Sequence, residues 1–103
     1  MRRSQKKEVM KKLTVLIGQK LIEITASKKW TGREISEHTG VSENRISEIK
    51  NPRHYKRPIT EGMFGQFLTG GVIRPFDINL IEDLSEKERK YINELIKEIY
   101  VCS

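Results

Sequence analysis

The sequence has one cysteine, Cys102, two histidines, three prolines and no long uncharged apolar run. A single cysteine excludes an internal disulfide, and with His38 and His54 as the only histidines no ligand quartet for a structural metal can be assembled. No stretch approaches the roughly 20 apolar residues that a membrane-crossing helix needs. Nothing matches the charged, apolar and small-residue regions of a secretory signal, so the chain is expected in the cytoplasm, away from membranes. Enzymatic signatures are missing too: there is no Cys/His pair, no carboxylate-rich pocket pattern and no glycine loop to cradle a phosphate. Gly70-Gly71 reads as a helix terminator. No role set for catalysis can be built, and neither an enzyme nor a cofactor is expected.

What is present is charge. Of the 103 residues 33% are charged and 36% hydrophobic, with a net charge of +6. This suits one helix-rich domain with a modest core. The charge is unevenly spread. Residues 1–74 carry 16 Lys/Arg against 7 Asp/Glu, a net +9; residues 75–103 carry 4 against 7, a net −3. A basic body with an acidic tail segment points to a polyanionic partner for the body.

Helix signals are dense. Val9, Leu13, Leu16, Ile17, Leu21 and Ile24 recur at spacings of three and four, predicting one helix over residues 4–28 behind a loose basic end, Met1-Arg2-Arg3. Thr31 and Glu34 have the spacing of a capping box and open a second helix to about Thr39, flanked by Trp30 and Ile35 at staple positions. Gly40 then stops that helix. Ser42 caps a third, which runs to about Asn51, where Pro52 disfavours continuation. Two short helices joined through a glycine-containing turn make a helix-turn-helix unit. The segment "PRHYKRPI" reads as a loop. Thr60 caps a fourth helix with an apolar face of Met63, Phe64, Phe67 and Leu68. "VIRPFDINLIEDL" reads as irregular, with a short extended piece at Val72-Ile73. Ser85 and Glu88 form a second capping box, opening a last helix to about Val101 with Ile92, Leu95, Ile96 and Ile99 along one side.

The third helix is short and polar. At about 100° per residue, the side opposite Ile46 and Ile49 carries Asn44, Ser47, Glu48 and Asn51, with Glu43, Arg45 and Lys50 on the flanks. A merely solvated helix favours Lys and Glu four apart, and Asn and Ser are mediocre helix formers. Their use on the outer face suggests a reading surface. Asn pairs with an adenine edge in the major groove, Ser contacts several bases or a phosphate, and Glu accepts from a cytosine amino group. The helix start at Ser42 offers amides and a positive dipole end to a phosphate. Directly after the helix, Arg53, His54, Tyr55, Lys56 and Arg57 suit phosphate contacts. Thr31 and Arg33, beside Gly32, complete the candidate DNA-binding set.

"TGREISEHTGVSENRISEIKN" resembles the helix-turn-helix of the Cro and lambda-repressor-like DNA-binding proteins. The matching features are Ile35 and Ser36, Gly40 at the turn, Val41, then Ser42, Ile46 and Ile49; "YKRPIT" followed by an apolar helix ending in glycines extends the likeness over about residues 5–73. The family commonly has glutamine where Gly32 stands, alanine at Ser36 and an apolar residue at Thr39. The resemblance implies an all-α, five-helix lambda-repressor-like domain with residues 1–73 binding DNA. It implies that Ser42, Glu43, Asn44 and Ser47 matter most, and that the chain regulates transcription as a repressor. Residues 74–103, of the same domain, are the expected element of a homodimer, because closed two-fold symmetry is the common solution and places two reading helices about 34 Å apart. The alternative is a protein-interaction module, an antitoxin or antirepressor, whose acidic C-terminal helix engages a partner; Glu43 and Glu48 favour it.

Overall fold

The computed structural model describes residues 3–51 and 57–101, which form helices and no strand. Five are α-helices: α1 (Arg3–Ala26), α2 (Gly32–Thr39), α3 (Glu43–Lys50), α4 (Glu61–Thr69) and α5 (Glu86–Val101). A 3-10 helix, Pro75–Leu80, makes the sixth helical segment, where an irregular stretch is expected. Pro75 fixes φ at its start, and the Asp77 carboxylate accepts the Arg74 amide at 2.8 Å, which closes the first turn. Val72 and Ile73 are buried but form no strand.

Capping is local side-chain chemistry, and every expected cap is made. Thr31 Oγ1 accepts the Glu34 amide at 3.2 Å while Glu34 Oε1 accepts the Thr31 amide at 3.1 Å. Ser42 Oγ accepts from Arg45 N, and Thr60 Oγ1 from Met63 N. Ser85 and Glu88 exchange the same pair of bonds. Gly40 takes a left-handed φ of 78°, which costs glycine nothing. The helix α1 ends two residues before the expected 28, and Lys28 holds a φ of 61° in the turn that follows.

One core binds these elements. Val9, Leu13, Ile17 and Leu21 of α1 meet Ile35, Ile46, Ile49, Phe64, Phe67, Ile78, Ile92 and Leu95 in a single cluster. The stripe of α5 therefore spends Ile92 and Leu95 on the chain's own core. Tyr91 at the same helix donates to the Glu61 carboxylate in the first turn of α4. Burial, and then that carboxylate, push the Tyr91 hydroxyl well above the ordinary phenol range.

The helices α1 and α3 approach closely at Gly18. A Cβ on Gly18 would lie 2.6 Å from the Ile49 carbonyl oxygen, a backbone atom that cannot rotate away. Gly18→Ala gains about 1 kcal/mol of helix propensity but forces α3 off α1, and overpacking of this kind costs about 1–3 kcal/mol. A lower melting temperature despite the better helix former is the expected outcome of a thermal melt.

The acidic segment lies across α1 from α3. Lys12 Nζ is 3.2 Å from Glu88 and donates to the Asp83 carbonyl at 2.7 Å; Lys20 Nζ is 3.6 Å from the buried Asp77. Lys12 and Lys20 project about 120–160° around α1 from Gly18. The Ser85 amide, and then Lys12, hold the Glu88 carboxyl below its usual range. Its folded value is thus depressed, so its contribution to stability is present above the unfolded carboxylate value and is lost as pH falls through the folded one. In urea titrations from neutral pH to about pH 3, the stability gap between the parent chain and Glu88→Gln should be widest at neutral pH and shrink with acid.

Candidate nucleic-acid interface

The surface around α3 begins with what holds α3 in place. Thr39 Oγ1 donates to the Ile35 carbonyl at 2.8 Å and accepts the Val41 amide at 3.1 Å, so a buried hydroxyl satisfies the backbone of the turn from α2 into α3. This gives the buried threonine a structural use. The next anchor is Thr14 in α1, almost fully buried, which donates to the Met10 carbonyl and accepts the Ile59 amide at 2.9 Å. It fixes the chain where it returns toward α4.

Arg45 is the third anchor, and here the structure differs from the expected flank position. Its side chain is 9% exposed. One terminal nitrogen donates to the Arg57 and Pro58 carbonyls at 3.1 and 3.3 Å, the other to Glu48 Oε2 at 2.8 Å. The physical reason is angular. Arg45 stands about 40° from Ile49 around α3, and the chain at 57–58 covers that side, so the buried arc is Arg45, Ile49 and Ile46 rather than the two isoleucines alone. Arg45 is a clamp on the loop and is not presented to a partner. Glu48, its ion-pair partner, has its charge compensated in place.

The opposite arc remains. Glu43, Ser47 and Asn44 are exposed, at about 0°, 40° and 100° around the axis, with Asn51 at about 80° and half-buried. Ser42, exposed, caps the helix and takes the Arg45 amide, which leaves the first-turn amides of Glu43 and Asn44 without an intrahelical acceptor. Lys50 is half-buried at the far end of the helix, beside a small apolar groove of about 150 Å³ with Thr14, Gly18 and Ile22. No protein family, curated protein or solved structure matches this chain.

The other expected contacts divide into four cases. Arg33 is exposed on α2 and pairs with Glu37 at 3.5 Å, an i,i+4 surface pair worth little, so its guanidinium is free to exchange partners. Thr31 is exposed but commits its hydroxyl to the cap. Arg57 is exposed, with its carbonyl on Arg45. Arg53, His54, Tyr55 and Lys56 lie outside the described residues. Sequence reasoning passed over Gly18, which lets α3 approach α1, and Thr14, which holds the returning chain at Ile59. The available signal was a glycine inside an otherwise strong helix pattern, which indicates a close backbone approach.

Proposed function

We propose that the chain is a sequence-specific double-stranded DNA-binding protein of Cro or lambda-repressor-like type, with α2 and α3 as its helix-turn-helix. In this reading α3 enters the major groove, Asn44 and Ser47 contact base edges, and Arg33, Lys50, Arg57 and the cations of residues 53–56 contact phosphates. The observation that carries it is the outward arc of α3: three short polar side chains and one carboxylate, with Glu48 neutralised by Arg45, and with Glu88 and Asp77 of the acidic segment paired with Lys12 and Lys20 on another side of α1. Charge and hydrogen-bonding groups are thereby sorted as a groove-reading face requires.

The same reading makes the protein a cytoplasmic transcriptional regulator, acting as a repressor by occupying its operator. It makes it a homodimer through residues 72–103, with half-sites about 34 Å apart. Since α5 gives Ile92 and Leu95 to the core, the apolar contribution to that contact falls on Phe76 and Leu80 of the 3-10 helix, 71% and 56% exposed, and on Val101. These same residues favour the second reading, a protein-interaction module of antitoxin or antirepressor type.

The test is Asn44→Ala on an operator selected from random duplex DNA. It should weaken binding by about 1–3 kcal/mol at that site and relax the preference at one base pair, with the melting temperature little changed because Asn44 is exposed. Unchanged cognate affinity would mean that α3 faces elsewhere. Binding of a protein partner that survives charge reversal of Arg53, Lys56 and Arg57, with no affinity for DNA, would favour the interaction module.

A further inference from the structure

Four carboxylates lie on α2 and α3 or start them, and three have a partner in the structure. Glu34 closes the capping box with the Thr31 amide, Glu37 pairs with Arg33, and Glu48 is held by the buried Arg45 guanidinium. Glu43 is different. It is exposed in the first turn of α3, next to Asn44 and about 40° from Ser47, and no ion pair reaches it among the described residues. A free carboxylate on a face that approaches phosphates either weakens every DNA complex or is used.

We propose that Glu43 is a specificity-determining residue that selects a cytosine in the major groove; this rests on the DNA-binding reading above. An ionised carboxylate only accepts hydrogen bonds. Two groups in the major groove donate: the cytosine N4 amino group and the adenine N6 amino group. Adenine sets its N7 acceptor beside that donor on the same base, which repels a carboxylate and suits the amide of Asn44, a donor and an acceptor together. Cytosine has no acceptor beside its amino group on its own base. Glu43 and Asn44 stand on the same exposed arc, about 100° apart with Ser47 between them, so the operator half-site carries a C·G pair and, near it, an A·T pair. Glu48 takes no such role, because its carboxylate is already bound by Arg45 at 2.8 Å.

The experiment selects an operator for the full chain from a random duplex pool. It then measures affinity for every single base-pair replacement with the parent chain and with Glu43→Gln, alongside a duplex of unrelated sequence. The expected result is one C·G pair whose replacement weakens the parent by on the order of 10- to 100-fold, and at that one pair Glu43→Gln loses the preference for cytosine or moves it toward adenine, which suits an amide, all other positions being equally discriminated by both. An acid that only repels phosphate gives higher affinity of Glu43→Gln for all duplexes alike, with every preference unchanged, and that overturns the proposal. An acid that only favours the helix start gives a lower melting temperature with unchanged preferences, and overturns it too. If the parent chain binds no duplex even at low salt, the DNA reading fails first and this proposal falls with it, which is a separate and recognisable result.

Discussion

Phe67→Ala lowers the stability of the folded chain by about 3–5 kcal/mol, the cost of a large cavity where a buried aromatic ring has been removed. Phe67 is fully buried at the centre of α4, beside Phe64 and Leu68, with α1 and α5 closing the same core. Its backbone is engaged as well: its carbonyl accepts the amides of Val72 and Ile73 at 3.0 and 3.3 Å, the bonds that turn the chain from α4 toward the 3-10 helix. The cavity thus opens where the N-terminal helices and the C-terminal segment meet. For a domain of this size each kcal/mol is worth roughly 4–8 °C, so a circular-dichroism melt should shift down on the order of 20 °C. A shift of only a few degrees would mean that residues 72–101 pack loosely on the rest.

Arg45→Ala is expected to cost about 2–3 kcal/mol of stability, the loss of hydrogen bonds from a charged donor to acceptors that stay partly buried. Three acceptors lose their donor at once: Glu48 and the carbonyls of Arg57 and Pro58. Chemical denaturation measures the loss directly. A second readout separates the clamp from a DNA contact. As a clamp, Arg45 acts by holding the chain at 57–58 against α3, so the variant melts lower in the absence of any ligand. A variant of unchanged stability that only binds DNA more weakly would return Arg45 to the outer face.

Arg45 also marks the limit of what the sequence carried. Helix ends were legible because a cap is made by residues two or three apart: Thr31 with Glu34, Ser42 with Arg45 N, Ser85 with Glu88. The stripe of α1 was legible because six apolar residues mark one face over about four turns. The orientation of Arg45 was not, because it depends on a chain segment 12 residues away coming back over the helix. The partners of Lys12 and Lys20 were not legible either, because they are Glu88, 76 residues on from Lys12, and Asp77, far from Lys20 along the chain. The 3-10 helix was missed for a different reason: six residues with a period near three give too short a pattern to stand out from a loop. On the candidate interface, Ser42, Glu43, Asn44 and Ser47 are exposed together, because the placement of a short helix face follows from two buried isoleucines.

The most direct test of DNA binding is fluorescence anisotropy of the full chain against random-sequence duplex DNA over a series of salt concentrations. The expected result is tight binding at low salt, with log affinity falling linearly and steeply against log salt as cations at several phosphates release counterions. A flat salt response, or no binding at the lowest salt, would contradict a groove-reading α3 flanked by phosphate-binding cations.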